Sequence, residues 1–408
     1  MILPALLLFS ALTASVRGLS SCVVFDAESN LYVFGGSKDV NLGAAASWTS
    51  PTPKTLSTKG RPPFTGTSVS CFLSQSKDLI YILGADKSNQ ATAYVFNPSS
   101  NTWSTQKVSS SNIPNFANTA TILDHDTDVF FSLDGTTMKS LDFSSLSGKA
   151  TTKTLKWVTQ GSSGTKKANF KATMAEAQNH LMIFGGDASA GQADIFVVHF
   201  SSFQKKAQAF KTLDSTKTFP STHGQATSFY QKAGVAQRQL AFIPDDFSST
   251  YVLTHWTSPA VAGSSAGAPE GIVPFINTTQ ILPAPTSKDK LATYAASPLH
   301  LVQLTSAGKI YAIQALTGKR NTYTVQPNAK WTTVGFTASG VTAASGKDMA
   351  NTSDDEVAST QEGNSSSSST SASSNAPAAQ DQDSSAAKRY GGVLAMTSLF
   401  AAGVAALF

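Results

Sequence analysis

Charge is scarce in this 408-residue chain: Asp, Glu, Lys and Arg together make up 13% of it, and cysteine occurs twice. Histidine occurs six times, with no two adjacent and no zinc-ligand spacing, and there is no glycine-rich phosphate loop. Those absences remove the zinc and nucleotide-binding signatures from consideration. The acids gather between residues 348 and 383, so within a formal net charge of +5 the body is more basic than the whole. Charge of that size argues solubility and mild attraction to anionic wall polysaccharide or phospholipid headgroups, not an identity.

Uncharged, hydrophobic runs stand at the two ends. Residues 2–9 are too short to span a bilayer and are followed by small residues, the pattern of a secretory signal peptide, with cleavage expected after Gly18 and residues 1–18 as leader. Residues 393–408 are uncharged. A hydrophobic tail of roughly 10–20 residues behind a spacer and a cluster of small residues signals replacement by a glycosylphosphatidylinositol anchor. Ser384-Ser385-Ala386 supply that cluster, with Ser384 as attachment candidate and residues 388–408 as the removed tail. The competing reading keeps the tail as a transmembrane helix flanked by Lys388 and Arg389, for which about 20 apolar residues are wanted. Both readings place the protein on a membrane facing out, at the extracellular face of the plasma membrane or cell wall, with a lipid anchor in the outer leaflet under the first, and make nucleic acid implausible as a partner. Residues 341–387 include an unbroken serine run at 365–369 and few large apolar side chains, which predicts a disordered, O-glycosylated stalk. Sequons at Asn277, Asn351 and Asn364 are expected to carry N-glycans.

Between the ends, residues 19–340 repeat. Leu31-Tyr32-Val33-Phe34-Gly35-Gly36 returns near Leu79 to Ala85 and again as Leu181-Met182-Ile183-Phe184-Gly185-Gly186. An apolar strand closed by glycine about every 50 residues is the spacing of four-stranded sheets set radially as propeller blades. The second copy is the clearest: strands near 67–72, 79–83 and 93–96, a turn at Asn97-Pro98-Ser99-Ser100-Asn101, and Thr102-Trp103 opening the outer strand. In the fifth copy Pro244 and Asp245 replace the glycine pair, and residues 272–276 are expected to supply its outer strand. The sixth copy is expected to begin with an inner strand at 299–304. The fold class is therefore an all-β propeller of six blades, or seven if residues 258–289 hide another unit. Cys22 precedes Gly35, and Cys71 precedes Gly84, by the same thirteen residues. The two occupy one slot in consecutive inner strands, so a disulfide stapling the first blade to the second is expected, with two free buried thiols as the alternative.

The units resemble kelch repeats, on the strength of the apolar strand, the Gly-Gly of copies one and four, and the Tyr94 to Trp103 arrangement of copy two. The resemblance covers about residues 22–334 and implies a propeller whose loops at one face bind a protein or glycan. The tryptophans are expected to pack between blades.

Candidate chemistry is thin. Gly263-Ser264-Ser265-Ala266-Gly267 matches a nucleophile elbow in letters, but it lies in a small-residue loop of an all-β chain and not between strand and helix. Asp124-His125-Asp126-Thr127-Asp128 begins like a calcium loop, yet Val129 stands where the turn glycine belongs and Gly135 where the bidentate Glu belongs. It reads as a solvated turn, with a weak divalent site as the alternative. His223 and His300 are read as preceding inner strands and bordering the axial channel. The superfamily resemblance brings one enzyme rival, the copper radical oxidases, which need convergent histidines and a tyrosine crosslinked to cysteine. No catalytic residue, metal ligand or cofactor is therefore assigned. The leading expectation is a non-catalytic surface module for a protein or cell-wall glycan; the alternative is a secreted oxidase or carbohydrate-active enzyme with its site at the channel mouth.

Overall fold

The computed structural model describes residues 18–167, 170–213, 217–231, 238–255, 277–318, 323–341 and 343. All belong to the first of two units into which the chain divides, Met1–Thr352. The leader up to residue 17, the Gly263 to Gly267 match, residues 272–276, Asn351, Asn364, Ser384, nearly all of the stalk and the terminal tail lie outside the described residues. Among the described residues no helix is long and apolar enough to cross a membrane. Helix there is limited to two single-turn 3-10 segments, Ala45–Ser47 and Val198–Phe200.

Apart from turns and three short strands, Ser202–Phe203, Leu316–Thr317 and Thr324–Val325, the strands form six consecutive antiparallel units of four. Inner, second, third and outer strands are Cys22–Phe25, Leu31–Phe34, Val40–Asn41 and Lys54–Thr55 in unit one. In unit two they are Ser70–Ser74, Leu79–Leu83, Thr92–Asn97 and Thr102–Lys107, and in unit three Thr119–Leu123, Val129–Asp134, Thr137–Asp142 and Val158–Ser162. Unit four has Thr173–Ala177, His180–Phe184, Gln192–Val197 and Gln208–Thr212; unit five has Gly224–Ser228, Gln239–Pro244, Thr250–Thr254 and Asn277–Leu282. Unit six has Thr293–Ala296, His300–Leu304, Lys309–Gln314 and Thr332–Thr337. The outer strands of units four and five pair in parallel, which fuses those two units into one longer sheet.

Alternation explains how the units assemble. Strand side chains point to opposite faces in turn, and here both faces are buried. In the second strand of unit two, Leu79, Tyr81 and Leu83 pack toward unit three with Phe130 and Phe143, while Ile80 and Ile82 pack toward unit one with Phe34 and Val24. Each of the six apolar clusters is shared by two neighbouring units, the last joining Val302, Leu304 and Ile310 of unit six to Val23, Phe25 and Trp48 of unit one. The inner strands neighbour one another in chain order and the sixth returns to the first. This is a β-propeller-like ring, held by hydrophobic seams in place of a continuous hydrogen-bonded sheet. Closure is reinforced after the last strand, where Ser37 N donates to Ser339 O at 2.7 Å and Leu19 bridges to Ala343.

Cys22 and Cys71 form the expected disulfide, with Cα atoms 5.9 Å apart, and so tie the inner strands of units one and two. Closing a loop of 49 residues restricts the unfolded chain by an amount equivalent to about 4 kcal/mol. The repeat glycines are steric requirements. Gly35 and Gly84 have φ of 90° and 70°, and a Cβ would lie 2.3 Å from Ser20 O and 2.5 Å from Ser68 O respectively. At that point the chain leaving the second strand crosses the chain approaching the inner one. Tryptophan packs as expected: Trp48 and Trp157 are buried at seams, and Trp103 lies against Phe34 of unit one and Phe96 of unit two.

Two strand assignments differ from the sequence expectation. The inner strand of unit six is Thr293–Ala296, and the apolar run 300–304 is its second strand. The outer strand of unit five is Asn277–Leu282. Among the described residues no seventh four-stranded unit occurs.

Candidate functional site

The inner strands surround a central cavity of about 340 Å³. Its lining includes Ser70, Thr121, Thr173, Gln225, Thr227 and Thr293 from the inner strands of units two to six, while unit one contributes the apolar run Cys22–Phe25. The two ends of this channel differ in chemistry.

At one end the chain approaches the inner strands, and Lys171, His223 and Lys290 line the opening. His223 Nδ1 donates to Asp245 Oδ2 at 3.0 Å, in a half-exposed pair. Desolvation would push the Asp245 carboxyl up, but the His223 hydrogen bond and the charges of His223, Lys290 and Lys171 outweigh it and hold the group below the usual carboxylate range. Lys171 is lowered by desolvation, with Asp245 opposing the shift. Three basic side chains thus gather round one carboxylate.

At the other end lie the hairpins between inner and second strands. Here charged groups join neighbouring units. Asp78 Oδ1 accepts from Ala27 N at 2.9 Å and Lys77 Nζ reaches Asp128 Oδ2 at 2.6 Å, while between the non-adjacent units five and one Tyr230 donates to the backbone Asp26 O at 2.6 Å. Between units three and four, His125 Nδ1 donates to Glu176 Oε1 at 2.8 Å, and Asn179 Nδ2 donates to Asp126 Oδ2 at 3.1 Å. Asp124 Oδ2 accepts from Thr127 N at 3.1 Å and from the Thr127 hydroxyl. Asp124, His125 and Glu176 are 0%, 7% and 1% exposed. Burial, with the Glu176 charge facing it, pushes the Asp124 carboxyl well above the usual carboxylate range. Desolvation alone would lower His125, but the Glu176 hydrogen bond and charge reverse it and raise the imidazole. Next to this group the rings of His180 and His255 stand 4.9 Å apart, and burial lowers both, His255 to about 3.

The Asp124 to Asp128 segment is therefore the hairpin turn expected, but not a solvated one. Asp124 and Asp128 are buried because the turn of unit three is pressed against units two and four. His223 lines the channel as expected. His300 does not: it opens a second strand and packs on Trp48, ring centroids 5.3 Å apart. Asn277 is 5% exposed, with Oδ1 accepting from His255 Nδ1 and Nδ2 donating to Gln208 Oε1 at 2.9 Å. Both cysteines are joined to each other, so neither is available for a tyrosyl crosslink. Glu176 carried no signal in the sequence, since a lone Glu in a strand of Met and Ala names no partner. The signal was the period: His125 and Glu176 are 51 residues apart, close to the 49 of the cysteine pair.

No model of a known protein family matches the chain, and no curated protein is similar enough to count as a relative.

Proposed function

We propose that this chain is a six-bladed, kelch-like propeller head, displayed outside the cell by a secretory leader and a lipid-anchored stalk, that binds an anionic glycan or an acidic protein segment without turning it over. The observation that carries this reading is the cluster of Lys171, Lys290 and His223 around the single Asp245 at the mouth of the polar channel. Loops and openings on a rigid β scaffold are where such modules recognise partners. Lysine ammoniums and an imidazole suit carboxylate or sulfate groups, and the hydroxyl and amide lining suits sugar hydroxyls. The experiment is binding of the secreted chain to an array of neutral, uronate-bearing and sulfated glycans. Retention on the acidic set, lost in the Lys171→Ala/Lys290→Ala double variant and weakened by salt, supports the reading. Equal binding of neutral glycans, or hydrogen peroxide release from simple sugars, refutes it. Release of the protein from intact cells by a phosphatidylinositol-specific phospholipase C tests the anchor.

A further inference from the structure

The hairpin end contains a second arrangement, separate from the basic mouth. Asp124, His125 and Glu176 each offer one donor atom, and the three atoms lie within 4.8 Å of one another. Asp124 is wholly buried; Thr127 occupies its Oδ2, and its Oδ1 has no hydrogen-bond partner among the described residues. A buried carboxylate oxygen without a partner is unfavourable and calls for an explanation. Two carboxyls and one imidazole enclosed together balance by protons only while one carboxyl is held neutral, whereas one divalent cation neutralises both carboxylates while the imidazole stays neutral.

We propose that Asp124, His125 and Glu176 bind one borderline-soft divalent metal ion, with zinc as the reference case, at the seam between units three and four. Donors held 2.0–2.2 Å from a zinc ion stand roughly 3–4 Å apart. The His125 to Glu176 distance of 2.8 Å therefore opens slightly, and the widest separation, within 4.8 Å, closes by no more than roughly 1–2 Å. The ion takes the place of the proton between His125 Nδ1 and Glu176 Oε1. His125 Nε2 then faces Asp126 Oδ2, 3.9 Å away, and Asn179 holds that carboxylate in turn. A ligating histidine whose second nitrogen is directed by a carboxylate is the usual outer arrangement of a metal site. The side chain of Asp126 is 43% exposed, so the site reaches solvent along that edge. A nitrogen donor and only three protein ligands disfavour calcium, which wants six to eight oxygens.

The test uses the full secreted chain after chelator treatment and dialysis. Zinc is titrated calorimetrically, and cobalt by visible absorption, with zinc displacing the cobalt bands. The expected result is one equivalent per chain, weakened at least tenfold by Asp124→Asn or Glu176→Gln and about tenfold by Asp126→Asn. His223→Ala, at the opposite end of the channel, leaves binding unchanged. No saturable zinc or cobalt binding, a calcium preference, or zinc binding that survives both Asp124→Asn and Glu176→Gln overturns the proposal. Should those variants misfold, the wild-type chain still decides: zinc must raise its melting temperature and abolish the cobalt spectrum, and a flat response to both overturns it.

Discussion

The two ends of the channel are built from the same repeat, yet they treat charge in opposite ways. Around Lys171, His223 and Lys290 the charged groups are part-exposed, and a single carboxylate serves several cations. Around Asp124, Lys77 and Glu176 the groups are mostly buried, and the contacts cross from one unit to the next. The difference follows from local geometry. The inner-to-second hairpins of neighbouring units crowd together, so their polar groups must find partners in the adjacent unit. Where the chain approaches the inner strands of units four, five and six, Lys171, His223 and Lys290 stay at least part-exposed. One end therefore contributes to cohesion, and the other keeps charge available for a ligand.

The largest expected effect that tests this contrast is Glu176→Ala. It removes the partner of a buried imidazole and the acceptor of a 2.8 Å hydrogen bond. Breaking a buried pair by deleting one member costs about 3–5 kcal/mol. Urea denaturation should show an unfolding free energy lowered by that amount, through a lower midpoint with an unchanged slope. A loss below about 1 kcal/mol would mean that the hairpin end is no more cohesive than ordinary surface.

A smaller effect, within the hairpin end, depends on pH. His255 is pushed down to about 3 by burial first, with the charge of His180 adding to it. Its folded value lies below its unfolded one, so the unfolded chain takes up a proton that the folded chain refuses. The stability it contributes is present above about pH 6.5 and is lost as pH falls toward 3. Asp124 has the opposite sign: its raised carboxyl stays protonated when folded, a cost at neutral pH that disappears on acidification. Melting temperature measured from pH 7 to pH 4 should therefore fall less in His255→Gln than in the wild type. In Asp124→Asn the metal-free protein should gain more at pH 7 than at pH 4. Identical pH curves for all three proteins would contradict the assignment.

Much of the ring could be read from the residues alone, and what could not has specific causes. The second strands of units one, two and four announce themselves because four or five bulky apolar residues end in a glycine that the crossing backbone demands. The inner strand Thr293–Ala296 gave no such signal, because a strand facing a polar channel on one side carries small and hydroxylated residues. Reading the next apolar run as the inner strand moved His300 to the channel on paper, while its ring actually lies on Trp48. Asn277 looked like a loop sequon, and the outer strand of unit five was not visible through the small-residue stretch before it. The His125 to Glu176 contact was only partly legible. Their spacing of 51 residues places them in consecutive units, but they do not share one slot as Cys22 and Cys71 do, since His125 lies in a hairpin and Glu176 within an inner strand.

The smallest effect is expected at the basic mouth, and it sharpens the comparison most. The side chains of His223 and Asp245 are 23% and 36% exposed, so their ion pair is screened by solvent. Exposed pairs of this kind contribute about 0–1 kcal/mol. His223→Ala should thus leave the denaturation midpoint nearly unchanged while removing a donor from the channel opening. If retention on acidic glycans drops several-fold in a variant whose stability matches the wild type, the mouth is maintained for a ligand. If stability falls as far as in Glu176→Ala, the two ends share a structural role, and the argument for a binding mouth loses its basis.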